Sequence, residues 1–304
     1  MGKVVTPALL AGINSGLQTA FNKASTSTPN YVQRFGFLTV QSTTTEELYG
    51  WLKDLPELEK NPEEITWNPV ELDAHVIVND EFKGGIIIPR KSIEDDKYGM
   101  FSQVAANLGQ NGGAAPDYEL LSMLPLLFTT KKAYTGKAFF AADHKLTDKG
   151  AAFSNLGTKK LSAANFQTGY AALRGMKKAT GVPLFTLLDA SKVFLVVGEN
   201  YEATADAIVK LPTLAGGGDN PNYKKATVVV IPGLGDKWMI LDCSDRITPI
   251  IFQDRIPLEL TTATSMTDEA VLNADEYKWK ARRRFALGTG EPRRAYGSTG
   301  ADAA

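Results

Sequence analysis

Two residues in this sequence could perform covalent chemistry, Cys243 as a nucleophile and His144 as its base. A cysteine nucleophile needs a base within hydrogen-bonding distance and a third group that orients the base. Nothing in the sequence brings His144 to Cys243, and the second histidine, His75, is predicted on the exposed face of a strand. We therefore predict that Cys243 ends a strand and is buried for packing. A soluble Cys/His hydrolase is kept as an alternative of a different class.

Motifs for cofactors are also missing from the sequence. Asp143, His144 and Asp148 lack the spacing of a zinc site, and the acidic residues lack that of a calcium loop. The glycines at 216–218 and 233–235 complete neither a dinucleotide fingerprint nor a phosphate loop, and they are typical of turns. We expect no cofactor, no metal and no enzymatic activity.

The composition is that of an ordinary globular chain of 304 residues, with 43% hydrophobic and 22% charged residues. The net charge is −1, from 33 basic and 34 acidic residues, which argues against a protein that coats nucleic acid by neutralising phosphates. A single cysteine indicates a reducing compartment. No apolar run has the length that a bilayer requires, so no membrane partner is expected.

The first third of the chain reads as an arm followed by a ribbon. Thr6-Pro7 predicts a helix start, apolar residues continue to Phe21 at helical spacing, and the Ser/Thr-rich stretch 22–30 should break the helix. A strand at 34–41 and a short helix at 46–53 are predicted next. Residues 63–90 then read as a long two-stranded ribbon, which needs a partner because a lone ribbon is marginally stable.

The middle of the chain is predicted to be helical and then α/β. Ser92 and Asp95 suggest a helix start, and residues 100–127 are largely helical. Residues 110–113 either break that helix or lie within a long helix that tolerates two glycines at roughly 1 kcal/mol each. Beyond residue 134, helices at 162–178 and 199–211 alternate with buried strands at 193–197 and 227–231 around an exposed loop at 216–222.

The end of the chain returns to strands. Residues 238–260 read as strand, turn and strand, with the turn at 242–246. Residues 277–287 alternate, so that one face is mostly aromatic and apolar while the other is basic. Four cations on one face repel each other unless an anion is near, so this face either meets a partner or is solvated. Residues 288–304 are predicted to be a frayed tail.

Several short stretches carry a resemblance to Mu-type major head subunits. It extends in order from about residue 5 to 290, and it is dense at 45–130 and 236–260. The matching stretches are Tyr49-Gly50-Trp51-Leu52, Leu55-Pro56, Ala74-His75, Phe82-Lys83-Gly84, Arg90, Glu94-Asp95-Asp96, Gly99, Leu241-Asp242-Cys243-Ser244, Pro249 and Ile251-Phe252-Gln253. These are matches of amino-acid sequence rather than of a chemical motif, so they indicate a family and not a site.

The resemblance implies an α+β protein with the tailed-phage major capsid fold, of the Hong Kong 97-like type. Its parts would be an N-terminal arm at 1–36 and an extended hairpin loop region at 37–90. The spine helix of the peripheral domain would lie at 91–133 and the axial domain at 134–243. Return strands of the peripheral domain and the tail would occupy 244–304. The family's hairpin reaches over a neighbouring subunit, which would explain an unpartnered ribbon.

The implied function is structural: a shell subunit that self-assembles into hexamers and pentamers and encloses phage double-stranded DNA without sequence-specific binding. A separate scaffolding protein, a portal and a decoration protein are the further partners implied. The protein would reside in the virion capsid after assembly in the bacterial host cytoplasm. An encapsulin-like compartment shell is the alternative of the same class. The residues expected to face a neighbouring subunit or DNA are Trp51, Phe82, Arg90, Lys278, Lys280, Arg282 and Arg284.

Overall fold

The computed structural model describes residues 5–50, 75–95, 98–146, 151–184, 188–214 and 216–302. The helices in these residues are α1 (Pro7–Ser27), α2 (Tyr31–Phe35), α3 (Arg90–Glu94), α4 (Tyr98–Leu126), α5 (Ala163–Arg174), α6 (Glu202–Val209) and α7 (Glu269–Ala274). The strands are β1 (Leu38–Gln41), β2 (Glu46–Leu48), β3 (Val76–Val78), β4 (Asp80–Pro89), β5 (His144–Lys145), β6 (Ala152–Phe153), β7 (Leu156–Lys159), β8 (Val193–Val197), β9 (Thr227–Val230), β10 (Trp238–Asp242), β11 (Ile250–Ala263), β12 (Glu276–Thr289) and β13 (Ala295–Asp302). The mixture of long helices and two main sheets agrees with the predicted α+β class.

Helix α1 is longer than predicted, because the Ser/Thr-rich stretch after residue 21 does not break it. The hydroxyl of Thr26 donates to the carbonyl of Asn22 at 2.9 Å, and that of Thr28 donates to Ala24 at 2.8 Å. Such back-bonding keeps hydroxyl side chains inside the helix without leaving them unpaired. The N-terminus is capped as expected, with Thr6 accepting from the amide of Leu9.

Helix α4 runs unbroken through the predicted interruption, so the long-helix alternative is the one confirmed. A Cβ added at Gly109 would lie 2.3 Å from the carbonyl oxygen of Phe21, and one at Gly113 would lie 2.7 Å from that of Ser25. These glycines allow the backbones of α1 and α4 to approach closely. The arm therefore packs on α4 rather than hanging from a tether, with Leu10 and Leu17 buried in the same apolar cluster as Trp279.

The first sheet has four strands in the order β1-β11-β12-β4. Strand β4 pairs with β12 from Asp80↔Phe285 to Pro89↔Glu276, whereas β3 pairs with β2. The prediction of one ribbon over 63–90 is therefore wrong where the structure describes it, since β3 and β4 have different partners. The helix predicted at 46–53 is also wrong over its first residues, which form β2. Residues 51–74 lie outside the described part of the chain.

The second sheet has five strands in the order β7-β13-β10-β8-β9. Helix α5 packs on β13, and α6 packs on β8 and β9. Every residue of β8 and β10 is buried, which explains why these strands read as continuous apolar runs. The strand predicted at 193–197 is confirmed at both ends. Within the loop predicted to be exposed, however, Asn220 and Asn222 are buried, and Asn220 bonds the carbonyls that end α6.

Most of the predicted frayed tail instead forms strand β13, which lies between β7 and β10 in this sheet. Strand β13 pairs antiparallel with β10, from Leu241↔Ala295 to Trp238↔Ser298, and parallel with β7. The prediction failed because Gly, Ser and Ala dominate residues 295–302. In the sheet, small residues are required there: a Cβ at Gly297 would lie 2.8 Å from the ring of Phe140.

The strand, turn and strand predicted at 238–260 are confirmed, but they do not form a hairpin. Strand β10 belongs to the five-stranded sheet and β11 to the four-stranded sheet, so the turn at 242–246 carries the chain from one sheet to the other. Two other boundaries differ from prediction. The residues before β1 form helix α2, and the helix predicted to start near Ser92 begins at Arg90 and ends at Glu94.

Candidate assembly surfaces

The two residues with the chemistry of a thiol hydrolase are both buried and contact different partners. Cys243 follows β10 with 5% of its surface exposed, and burial raises the pKa of its thiol well above the ordinary value. His144 is fully buried: one ring nitrogen contacts the hydroxyl of Thr135 at 2.6 Å and the other the carbonyl of Phe139 at 3.1 Å. Burial lowers its pKa. A protonated thiol and a histidine with other partners do not form a nucleophile–base pair.

The sequence predicted His75 on the exposed face of a strand, and the structure contradicts this prediction. Its Nε2 lies 2.8 Å from the carbonyl oxygen of Thr289, and burial lowers the pKa of the ring. Among the described residues there is no group of three or more His, Cys, Asp and Glu side chains that could hold a metal ion. The described helices also include none long and apolar enough to cross a membrane.

The predicted basic face of β12 exists, and part of its charge is balanced within the chain. Lys278, Lys280, Arg282 and Arg284 alternate with the buried residues of the strand. Arg282 pairs with Glu81 at 2.5 Å and with Glu259 at 3.3 Å. Lys278 pairs with Glu276 at 3.3 Å. Carboxylates of the same chain therefore lie near Arg282 and Lys278, and whether this face meets a neighbouring subunit or DNA stays a prediction.

The pKa of Glu81, which lies on β4 beside β12, is strongly lowered by neighbouring cations. Hydrogen bonds from Lys83 and then Arg282 lower the pKa of Glu81 to about 2. Lys280 is exposed, and the Nε of Arg284 contacts no hydrogen-bond acceptor in the described residues. On this face Lys280 is open to further acceptors, whereas the Nε of the half-buried Arg284 is itself buried.

Of the other three predicted contact residues, Phe82 and Arg90 are among the described residues, and their surroundings differ. Phe82 stacks on Phe285 with ring centroids 4.3 Å apart, so its ring belongs to the packing between β4 and β12. Arg90 pairs with Glu94 at 3.0 Å and with Asp275 at 3.5 Å at the start of α3. Trp51 lies outside the described residues.

Two buried ion pairs at the junction of the two sheets were not predicted from the sequence. Arg293 contacts both carboxylate oxygens of Glu291 at 2.8 Å, and the two side chains are almost wholly buried. Arg294 contacts Asp242 at 2.6 Å and also pairs with Asp245. Both arginines fall within residues 288–304, which the sequence predicts to be a frayed tail. The signals that could have indicated otherwise are Asp242 and Asp245 within the turn at 242–246, and Glu291 two residues before Arg293.

A family model describes this chain over almost its whole length. The model is that of the Mu-like prophage major head subunit gpT, and it matches residues 10–160, 156–234 and 231–302. The major capsid protein of Escherichia phage Mu is 23% identical over 287 residues, which are 94% of this chain and 72% of that protein. The Mu-like prophage FluMu major head subunit of Haemophilus influenzae is 25% identical over 286 residues, 94% of this chain and 71% of that protein.

Solved capsids have the same fold at low sequence identity. The procapsid of bacteriophage JBD30 aligns with a TM-score of 0.58 and 22% identity over 97% of this chain and 76% of that chain. The JBD30 capsid decorated with minor capsid protein trimers gives a TM-score of 0.56 at 20% identity, over 77% of this chain and all of that chain. The capsid of cyanophage P-SCSP1u gives 0.53 at 9% identity, over 91% and 89%.

The resemblance in the 45–130 and 236–260 stretches is thereby confirmed. The match also extends into residues 145–235, where short sequence matches indicated little. The two sheets, the arm and the long helix agree with the Hong Kong 97-like capsid fold. The burial of Cys243 and His144 and their contacts with different partners agree with a structural role. This chain belongs to the Mu-like prophage major head subunit gpT family and is a structural subunit of a phage head shell.

Proposed function

We propose that the chain assembles through hexamers and pentamers into a closed icosahedral shell that encloses double-stranded DNA without reading its sequence. The observation that carries this proposal is the family match from residue 10 to residue 302. The charge balance supports enclosure rather than tight coating, because 33 basic and 34 acidic residues leave no cationic surplus for neutralising phosphates. Closed symmetry lets one surface patch serve every copy of the subunit.

The basic face of β12 is proposed to meet carboxylates of a neighbouring subunit. Residues 51–74 contain seven acidic residues and two lysines, a strongly acidic stretch in a chain of nearly balanced charge. Lys280 and Arg284 can donate hydrogen bonds to those carboxylates without breaking the pairs that Arg282 already makes. Packaged DNA is the other anion that could meet this face. Trp51, Phe82 and Arg90 remain proposed contact residues of the same interface.

A charge swap tests which anion the basic face meets. Arg284→Glu with Lys280→Glu should reduce shell formation, and adding Glu63→Lys with Glu64→Lys should restore it if the acidic stretch is the partner. Restoration needs no DNA, so it is measured on purified protein by sedimentation. Normal empty shells that fail to retain DNA would point to DNA instead. Unchanged shells and unchanged DNA retention in the first variant would contradict both contacts. The control is Lys210→Glu, a charge reversal at the residue that follows α6.

The other partners are proposed on the family relationship. They are a separate scaffolding protein, a portal and a decoration protein, with assembly in the host cytoplasm and residence in the virion. The JBD30 capsid, which carries minor capsid protein trimers, supports the proposal of a decorating partner. Co-expression with each candidate protein, followed by imaging of the particles, tests these partners one at a time.

We also propose that the chain has no catalytic activity, and the reactivity of the Cys243 thiol tests this proposal. A catalytic thiolate reacts rapidly with an alkylating probe at neutral pH, whereas a buried thiol with a raised pKa does not. We expect Cys243 to be unreactive in the folded protein and fully reactive in denaturant. Rapid modification of the folded protein would favour the hydrolase alternative.

A further inference from the structure

One cation occupies a core-facing position of β12. The residues that alternate with the basic face are otherwise apolar or aromatic and buried: Tyr277, Trp279, Ala281, Phe285 and Leu287. Arg283 stands among them, with only 16% of its side chain exposed. Its guanidinium lies 5.2 Å from the ring centroid of Phe285 and 5.7 Å from that of Phe252. Burying such a charge is costly unless a hydrogen-bond acceptor pairs with it.

Arg283 lacks such an acceptor among the described residues. Its nearest carboxylate oxygen, the Oδ1 of Asp254, is 4.0 Å away and beyond hydrogen-bonding distance. The Nε of Arg283 and that Oδ1 are both buried without a hydrogen-bond partner in the described part of the chain. Burial lowers the pKa of the Arg283 guanidinium and raises the pKa of the Asp254 carboxyl. Buried Arg293, by contrast, makes two bonds of 2.8 Å to Glu291.

A cavity of about 210 Å³ lies beside this guanidinium, between α4 and the four-stranded sheet. Its walls are mostly apolar and include Phe82, Leu108, Ala115, Leu258 and Ala281. The cavity has room because Gly84 is paired with Ala281 across β4 and β12, so neither strand carries a large side chain there. Its lining also includes the exposed residue Asn111, so a ligand can enter from solvent.

The polar groups of the cavity select an anion. Lys83 also lines it, but the Nζ of Lys83 is already paired with Glu81 at 2.7 Å. The donors left to a ligand are the terminal N–H groups of Arg283 and the side-chain amide of Asn111. A guanidinium offers parallel donors that match the two oxygens of a carboxylate. Apolar walls with one cation therefore suit a carboxylate on a short apolar stem.

We propose that this cavity, the Arg283 pocket, binds a carboxylate carried on a short apolar stem, and that Arg283 holds the carboxylate. The ligand supplies the hydrogen-bond acceptors that Arg283 lacks within its own chain. A free small acid and an acidic side chain of another protein present the same chemistry. The pocket lies within one subunit, so its ligand binding does not depend on the proposed function.

The probe is isovalerate, and isoamyl alcohol, which has the same branched stem without a carboxylate, is its matched control. Equilibrium dialysis against the purified chain measures both affinities and that of inorganic phosphate. We expect isovalerate to bind at least about tenfold more tightly than either, because only isovalerate combines a carboxylate with an apolar stem. Absence of isovalerate binding, or equal affinity for the alcohol or for phosphate, would overturn the proposal.

Two substitutions should change the affinity for isovalerate in opposite directions. Arg283→Met keeps an unbranched apolar side chain without the cation, so binding should weaken at least about tenfold. Asp254→Asn removes the negative charge nearest to the guanidinium, so binding should tighten. Arg174→Met removes an exposed cation at the end of α5 and should change nothing. Wild-type affinity in Arg283→Met, or weaker binding in Asp254→Asn, would contradict the proposal.

A conservative variant keeps the test decisive if Arg283→Met does not fold. Arg283→Lys retains the charge but loses the paired donors, so isovalerate should bind several-fold more weakly, and wild-type affinity would contradict the proposal.

Shell formation separates the two sources of the carboxylate. Excess isovalerate should lower the shell yield if a neighbouring subunit supplies the carboxylate, and should leave the yield unchanged if a free acid does. Wild-type protein that forms no shells would contradict the proposed function and leave the dialysis result intact.

Discussion

The two main sheets differ in how completely they are enclosed, and the difference separates folding from assembly. Strands β8 and β10 of the five-stranded sheet are buried at every position. In the four-stranded sheet, β4 is largely exposed and β12 alternates over its first residues. A sheet that is covered on both faces has little surface left for a partner. The four-stranded sheet keeps more of its surface exposed, and its basic face is where we propose that contacts with other copies form.

Ion pairs follow the same division. Arg293 and Glu291 pair with 2% and 4% of their side chains exposed, whereas Arg282 and Glu81 pair with 30% and 33% exposed. Breaking a buried pair leaves an uncompensated charge in the interior, but an exposed charge is solvated by water and its pairing contributes little. Removing one partner should therefore destabilise the subunit strongly at the buried pair and only slightly at the exposed pair.

The largest expected effect is that of Glu291→Ala. Arg293 would remain buried without its carboxylate, and we expect a loss of about 3–5 kcal/mol in the free energy of unfolding. Urea denaturation followed by tryptophan fluorescence measures it. Glu81→Ala, which removes a partner of the exposed Arg282, is the matched control and should change little. Similar losses in both variants would contradict the division between the regions.

The next effect concerns the arm. Gly109→Ala should destabilise the subunit by about 1–3 kcal/mol, because its Cβ would overlap the carbonyl of Phe21 and push α1 away. Gly16→Ala in α1 meets nothing within 4 Å and should stabilise by up to about 1 kcal/mol through helix propensity. Opposite signs in the two thermal melts are the expected result. Stabilisation by both alanines would mean that α1 does not pack tightly on α4.

The pH dependence should come from the buried histidines. Burial lowers the pKa of His144 and His75, so both prefer the neutral form in the folded subunit. Their contribution to stability is complete above the unfolded pKa of about 6.5 and is lost as the pH falls through the lower folded values. We expect urea midpoints to fall between pH 7.5 and 5, and to fall less in His144→Phe. A midpoint that rises on acidification would contradict this sign.

A smaller effect is expected at the cysteine. Cys243→Ser replaces a buried thiol by a more polar group of similar size, so a loss of about 1–2 kcal/mol in the free energy of unfolding is expected, with assembly near wild type. Shell yield and urea denaturation are measured together. Assembly that disappears while stability is retained would show that the thiol acts in more than packing.

The smallest effect on the subunit itself should come from Arg282→Glu with Arg284→Glu. Exposed pairs contribute roughly 0–1 kcal/mol, so the variant should fold. Assembly or packaging should nevertheless weaken, in a way that high salt partly mimics, because exposed charges are screened over about 10 Å at moderate ionic strength. Shell yield and DNA retention across a salt series measure this. Wild-type values throughout would mean that the basic face is only solvated.

The sequence predicts the enclosed sheet better than the exposed one, for a physical reason. The apolar runs of β8 and β10 are unambiguous because both faces are buried. Strand β13 was missed because its small residues are set by neighbouring rings such as Phe140, which no local pattern reveals. The unbroken α4 depends likewise on the backbone of α1. The basic face was visible in the alternation of β12, but the positions of Glu81 and Glu259 beside Arg282 depend on the strand register.

The most direct test of the central claim is electron microscopy of the purified protein over a range of concentrations, alone and with a co-expressed scaffolding protein. The account predicts capsomers or closed shells of uniform size, whose yield rises with concentration. A folded monomer at high concentration under both conditions would contradict the assignment of this chain as a shell-forming subunit.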